Sequence, residues 1–320
     1  MTRLRCAVLD DFQDVARERA DWARLADRVD VRFLHDHIAA HDDIVTAIGD
    51  CEIVVVMRER TPFPAELFAR LPALRLLITS GLRNASIDLA AAAAHGVTVC
   101  GTPSGSAPPA ELTWALLLGL ARGIVTEHAN LRSGGPWQST LGADLHGRRL
   151  GLLGLGKIGS RVARVGAAFG MDVVAWSRSL TAERAAEEGA SLAASKEELF
   201  ETSDFVSVHL VLSDRTRGLV GADELRRMRR TAYLVNTSRA AIVDQPALLR
   251  ALREGWIAGA GSDVFETEPL APDDPLRTAP NFLGLPHLGY VTRANYDGYF
   301  QGAVEDIEAY LAGAPVRTLG

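Results

Sequence analysis

Apolar and polar positions along the chain switch repeatedly between two periods. "RCAVLD", "VDVRFL", "CEIVVVM", "LRLLITS" and "GVTVC" are short β-rich runs within the first hundred residues. Between them lie segments with helical spacing, among them "DVARERADWARLAD". Strand–helix alternation of this kind predicts parallel βαβ units with helices covering the sheet. A Gly/Pro/Ser-rich stretch, "GTPSGSAPPAE", interrupts the series and precedes an apolar helix, "LTWALLLGLARGI". A second alternating series starts at "RRLGLLGLG" and runs through "MDVVAWS", "DFVSVHL", "TAYLVNTS" and "IAGAGSDVF". After "LPHLGYVT" the pattern predicts a last helix over 293–312, which belongs to neither series by alternation. The reading is of two α/β domains, with no internal repeat.

Composition narrows the class. A chain of 320 residues, 48% hydrophobic and 23% charged, has room for two cores and reads as a soluble globular protein. A net charge of −6 argues against a nucleic-acid surface. No apolar run is long enough to span a bilayer, and Asp10 and Asp11 come too early for a secretory signal. Cys6, Cys51 and Cys100 are odd in number and far apart, which suits reduced, buried thiols in a cytoplasmic protein.

The most specific local motif is "GLLGLGKIGS", an apolar strand followed by Gly154, Gly156 and Gly159 in G-x-G-x-x-G spacing. Val162, Val165, Gly166 and Phe169 then keep the stripe of a helix packed on a sheet. In a dinucleotide loop Gly154 makes the tight turn, Gly156 lets the backbone approach a pyrophosphate, and Gly159 lets helix and strand pack closely. NAD specificity normally places an acidic residue about 20 positions on, at the end of the next strand. Here that place holds Ser177 and Arg178, and Asp172 is at the wrong end of the strand. Arg178 suits the 2′-phosphate of NADP, so NADP is favoured over NAD.

Reactive side chains follow three later strands. "LVNTSRAAIVD" carries Arg239, "GAGSDVFETEP" carries Asp263, Glu266 and Glu268, and "LGLPHLGY" carries His287. Ligands of open α/β sheets bind at the C-terminal strand ends, so the three segments are expected to converge. Arg grips a carboxylate bidentately, and a carboxylate partner sustains a protonated His near neutrality. An Arg, a Glu–His pair and a nicotinamide suffice for hydride transfer at a 2-oxo or 2-hydroxy acid.

Taken in order, "GLLGLGKIGS", "VSVHLVLSDRTRGLVG", "YLVNTSRAAIVD", "GAGSDVFETEP" and "LPHLG" resemble the D-isomer-specific 2-hydroxyacid dehydrogenase family over essentially the whole chain. The resemblance implies an α/β fold of two Rossmann-like domains. A flavodoxin-like substrate domain, residues 1–100 and 292–320, would receive an inserted NAD(P)-binding domain, 101–291, with a cleft that closes over a small 2-oxo or 2-hydroxy acid. It assigns Arg239 to the substrate carboxylate and carbonyl, His287 to proton transfer and Glu268 to pairing with His287. Gly154, Gly156, Lys157, Ile158, Gly159, Ser177, Arg178, His209, Leu210, Val211, Thr216, Thr237, Ser238, Asp263 and Gly289 would line the cofactor, Asp263 facing the nicotinamide carboxamide. Ser80, Gly81, Leu82 and Arg83, with Arg58, would hold the substrate. Arg60 lies at the same mouth. A homodimer is implied, with the apolar helix packing both within and across subunits.

The chain departs from the family pattern in places. Ala240 stands where Gly usually follows the catalytic Arg, and Val211 where Pro is frequent. In the substrate loop "TSGLRNASID", Arg83 replaces an Asp and Ala85-Ser86 look inserted; Arg83, Arg58 and Arg60 suit either a second anionic group on the substrate or surface salt bridges. "HDHIAAHDD", with His35, His37 and His41, reads as a solvated loop and helix start, not a metal site. "ELRRMRR" reads as a solvated helix face. Alternatives within the fold are a dehydrogenase of another small anion such as phosphite or formate, Glu268 weighing against the formate branch, and a dinucleotide-sensing corepressor, which usually carries extra tails.

Overall fold

The computed structural model describes residues 2–320. They fall into two compact units, one made of the residues up to Gly105 together with Thr292–Gly320, the other of Ser106–Val291. Each is a parallel α/β sheet covered by helices.

In the first unit five strands, β1 (Leu4–Val8), β2 (Val29–Phe33), β3 (Ile53–Val56), β4 (Leu76–Thr79) and β5 (Thr98–Gly101), pair in the order β2-β1-β3-β4-β5. This is the flavodoxin-like order. Every position of β3 and β4 is buried, as expected of strands covered on both faces. The helix Arg293–Leu311 packs here, its N-terminus capped by Thr292. Beyond it the backbone returns along β5: Gly101 donates to the Arg317 carbonyl at 3.0 Å and Leu319 to that of Val99 at 2.8 Å. Arg317 also grips the buried Asp306 at 2.9 Å, fixing this tail to the helix.

The segment 14–27 is not the helix its spacing predicts but two 3-10 turns, Ala16–Glu18 and Trp22–Leu25. Local side chains take the groups a helix would use. Asp11 accepts from the amides of Val15 and Ala16, both at 3.0 Å, and the Trp22 indole donates to the Ala16 carbonyl at 2.8 Å. Such bonds compete directly with helical ones.

The second unit holds β6 (Arg149–Leu153), β7 (Asp172–Trp176), β8 (Ser191–Leu192), β9 (Phe205–Val208), β10 (Tyr233–Asn236), β11 (Gly259–Ser262) and β12 (Phe282–Gly284). Their order is β12-β11-β10-β9-β6-β7-β8. Strand order runs outward in both directions from the β6/β9 pair, which makes the C-terminal end of β6 the topological switch point. β8 and β12, of two and three residues, are edge strands too short to register as apolar runs.

The helix Ala107–Ala121 opens this unit with Pro in its first turn and buries Trp114, Leu116 and Leu117 against its own sheet. The next helix, Ile124–Ser133, buries nothing. Exposed apolar side chains therefore lie after the apolar helix and not on it: Leu131, Trp137 and Leu141 are 66%, 80% and 102% exposed. None of the helices of the described residues is long and apolar enough to cross a membrane.

Candidate active site

The glycine loop joins β6 to the helix Lys157–Ala168, at the switch point. Gly154 has φ +105°, and a Cβ there would fall 2.9 Å from the His209 backbone. A Cβ on Gly159 would come within 2.3 Å of the Gly154 carbonyl oxygen, so helix and turn close only with glycine at this place. A Cβ on Gly156, by contrast, would meet nothing within 4 Å. That open face, beside the first-turn amides of the helix at Lys157, Ile158 and Gly159, is the cradle a pyrophosphate requires. The residues present fit a dinucleotide.

On one side of the loop, β7 ends at Trp176, and Ser177 starts a tight turn in which its carbonyl accepts from Leu180 at 3.1 Å. Arg178 in that turn is exposed and makes no hydrogen bond or ion pair with the described residues. Asp172, at the far end of β7, is bound to Arg149 at 2.7 Å.

On the other side lie the ends of β9 to β12. His209 follows β9, its amide on the Leu153 carbonyl (2.8 Å) and its Nε2 on Ser207 Oγ (2.9 Å). Burial pushes its imidazole down to about 4, so it is neutral at physiological pH. Ser238 Oγ donates to the Leu210 carbonyl, Thr216 Oγ1 to that of Val211 at 2.8 Å, and Thr237 shares a 2.8 Å hydrogen bond with Thr113 on the apolar helix. Val211 is 73% exposed in its loop.

Arg239 follows β10, with Nη1 on the Ser238 carbonyl at 2.8 Å. Asn236 shapes this turn: its side chain donates to the Arg239 carbonyl and accepts from the Ser238 amide, each at 3.0 Å. Ala240 opens a 3-10 turn, Ala240–Ile242, without a positive φ, so nothing in the backbone requires glycine there.

Glu268 and His287 meet. His287 Nδ1 is 2.6 Å from Glu268 Oε2, while Glu268 Oε1 accepts from the Phe265 amide at 2.8 Å. The His287 ring also packs edge-on against Tyr290, centroids 5.2 Å apart. Its backbone is left-handed, φ +54°, which costs a residue with a side chain on the order of 1–3 kcal/mol. Asp263, 1% exposed after β11, accepts from the amides of Leu288 at 2.7 Å and Gly289 at 2.8 Å. Burial pushes its carboxyl up to about 6, with those amides pulling the other way. Both oxygens thus face the loop after His287, an arrangement that sequence spacing did not reveal. Asn236, Thr113 and Tyr290 were likewise not singled out from sequence, since their parts depend on tertiary contacts. Glu266 is exposed beside them.

In the first unit the substrate-loop candidates follow β4. Ser80 is buried, Gly81 has φ +90°, and Leu82 and Arg83 are exposed. Arg58 staples this loop to the end of β3. Its amide donates to Ser80 Oγ (2.9 Å), its Nη1 to the Ser80 carbonyl (3.2 Å), and its own carbonyl accepts from Asn84 (2.6 Å). A Cβ on Gly81 would collide with that guanidinium. Arg83 makes no hydrogen bond or ion pair with the described residues. Arg60 is engaged elsewhere, on the Asp10 carbonyl at 2.7 Å and over the Phe12 ring. In "HDHIAAHDD" the helix begins at His41, and His37 pairs with the buried Asp10 at 3.0 Å. His35, Asp11 and Asp14 form a cluster, but both oxygens of Asp11 already hold backbone amides. The "ELRRMRR" arginines are partly neutralised: Arg227 pairs with Glu201, Arg229 with Asp204, and Arg226 covers Trp256.

Comparison with known proteins places the chain in a family. The family model described as D-isomer specific 2-hydroxyacid dehydrogenase, NAD binding domain, matches residues 114–289. Glyoxylate reductase of Aeropyrum pernix is 42% identical over 257 residues, 78% of this chain and 76% of that protein. Glyoxylate reductase of Korarchaeum cryptofilum is 38% identical over 277 residues, 84% and 82% of the two chains. Among solved structures, a phosphoglycerate oxidoreductase from Vibrio cholerae superposes with a TM-score of 0.92 at 37% identity, covering 97% of this chain and all of that one. With a glycine cradle at the switch point and an Arg, a Glu and a His after the strands beside it, the chain belongs to the D-isomer specific 2-hydroxyacid dehydrogenase family of nicotinamide-dependent oxidoreductases.

Proposed function

We propose that the chain reduces a small 2-oxo acid to the 2-hydroxy acid, with His287 as proton donor, Glu268 as its partner and Arg239 as the anion holder. The observation that carries this reading is the 2.6 Å contact between Glu268 and His287 Nδ1. It occupies one ring nitrogen and leaves Nε2 to exchange a proton with the substrate oxygen. A nicotinamide held beside these residues would supply the hydride. Arg239 orients the carboxylate and polarises the carbonyl, which develops negative charge as the reaction proceeds. The glycine loop with Lys157 and Ile158 holds the pyrophosphate. His209, Leu210, Val211, Thr216, Thr237, Ser238 and Gly289 line the rest of the dinucleotide. The unit containing Ser80, Gly81, Leu82, Arg83 and Arg58 serves as substrate domain, its loop amides taking the carboxylate.

The cofactor is NADP in preference to NAD. Support comes from Arg178, an exposed cation without a partner among the described residues, and from the absence of a carboxylate in the Ser177–Leu180 turn. The chain forms a homodimer through the segment from 124 to 141, where Leu131, Trp137 and Leu141 leave a large apolar surface uncovered. Three free, buried thiols suit a cytoplasmic location. Absorbance at 340 nm, with glyoxylate, hydroxypyruvate, pyruvate and bulkier 2-oxo acids against NADPH and NADH, tests the activity. Turnover with at least one pair is expected, and none with any pair refutes it. Sedimentation velocity of the wild type and of Leu141→Glu tests the dimer, which the variant is expected to dissociate. A monomeric wild type rejects it.

A further inference from the structure

We propose that Asp263 is a positioning residue for proton transfer, holding the backbone after His287 so that the imidazole meets Glu268. The inference rests on the reading of His287 as proton donor. The turn at His287 is pinned on both sides. Its own amide donates back to the Leu285 carbonyl at 3.0 Å, and the two amides that follow it, of Leu288 and Gly289, each go to one oxygen of Asp263. A left-handed His287 is thus fixed by three backbone hydrogen bonds, two of them to one buried carboxylate.

The carboxylate is in turn anchored. The Asp263 amide donates to the Asn236 carbonyl at 3.0 Å, and Asn236 through its side chain shapes the turn that presents Arg239. A continuous set of hydrogen bonds therefore sets the Arg239 turn and the His287 loop in one frame across the adjacent strands β10 and β11. Space is tight at the far end, where a Cβ on Gly289 would lie 3.1 Å from Asp263 Oδ2. Keeping a carboxylate so buried works against its ionisation, a cost that the two amides only partly offset.

The test compares Asp263→Asn, Asp263→Ala and Gly289→Ala with wild type. Asn keeps one acceptor but turns an N–H toward a backbone N–H, and Gly289→Ala crowds the same contact with Asp263 intact. Three quantities are read: kcat with the best 2-oxo acid, dinucleotide affinity by fluorescence titration, and the low-field proton resonance of the His287 Nδ1–H bonded to Glu268. Misplacing a reacting group by about 1 Å costs up to roughly 100-fold. A fall of about 10- to 100-fold in kcat is accordingly expected in both Asp263 variants, and a smaller one in Gly289→Ala. In the two Asp263 variants the low-field resonance should broaden or vanish, with dinucleotide affinity little changed. Wild-type kcat in Asp263→Asn overturns the proposal. So does a loss confined to dinucleotide affinity with the resonance intact, which would make Asp263 a cofactor contact. His287→Ala is measured alongside. Turnover retained there sinks the functional reading itself, whereas an inactive His287→Ala beside a fully active Asp263→Asn sinks only the positioning role.

Discussion

Glu268 divides its two carboxylate oxygens between the His287 imidazole, at 2.6 Å, and the Phe265 amide, at 2.8 Å. Its side chain is therefore fixed before it meets the ring, and the ring is held at Nδ1 with Nε2 left for chemistry. If that nitrogen delivers the proton, His287→Ala should lower kcat by about two to four orders of magnitude, the usual worth of a general acid. Dinucleotide affinity, measured by fluorescence titration, should stay near wild type. Unimpaired turnover would show that the proton comes from elsewhere.

Glu268→Gln keeps the shape of the pair but removes its charge. The amide oxygen can still face Nδ1, but the charge-assisted part of the 2.6 Å contact is lost. A hydrogen bond to a charged group contributes roughly 1.5–3 kcal/mol, so kcat should fall by about 10- to 100-fold while dinucleotide affinity stays near wild type. Wild-type kcat in the variant would mean that Glu268 is not the working partner of His287.

Arg239→Lys tests the anion holder. Lysine retains the positive charge but lacks the planar two-pronged grip. The substrate KM is expected to rise and kcat to fall together, because a tilted substrate is both bound and polarised less well. Wild-type constants would transfer the role to Arg83 or Arg58, the cations of the other unit.

Arg178→Ala probes the cofactor. A charge-assisted hydrogen bond contributes roughly 1.5–3 kcal/mol, or about one to two decades in relative kcat/KM. Wild type should prefer NADPH by about that factor, and the variant should lose most of the preference while its rate with NADH barely changes. Equal use of both cofactors by wild type, unaltered in the variant, would remove the NADP assignment and leave the reductase intact.

The buried Asp306 predicts a pH effect on stability. Burial pushes its carboxyl up to about 6 from an ordinary 3.8, against the pull of Arg317. A raised carboxylate pKa means that the folded state binds the proton more tightly than the unfolded one. The destabilisation from this group is thus complete above about pH 6 and fades as pH falls toward 3.8. Urea midpoints on either side of that window should fall with rising pH more steeply in wild type than in Asp306→Asn. Parallel curves would show that Asp306 titrates alike in both states.

Much of the site could be read from spacing because its parts follow strands whose patterns are local. The three glycines each occupy a place where a side chain would collide or fill the cradle, and Glu268 and His287 lie at strand ends. What spacing could not show depends on groups far apart in the chain. Arg58 and Arg60 look equivalent in "VVMRERTPF", yet one staples the Ser80–Gly81 loop and the other is spent on Asp10 and Phe12. That the two oxygens of Asp263 accept from the Leu288 and Gly289 amides depends on the fold bringing the loops after β11 and β12 together. The stretch 14–27 is a different case: its apolar spacing is helical, but a local competitor, the carboxylate of Asp11 just before it, captures the amides of Val15 and Ala16.

The split of the first unit into two stretches of chain has a consequence for synthesis. Its sheet is complete once β5 has emerged, but the helix Arg293–Leu311 and the tail that lies along β5 are made only after the whole of Ser106–Val291. The second unit is contiguous and can close on its own, as domains generally do while the ribosome is still adding residues. The first must wait with the flank of β4 and the edge of β5 unprotected, an open template for pairing with another chain. Nascent chains halted before residue 293 should therefore be the most aggregation-prone species in the life of this protein, and the ones most in need of a chaperone.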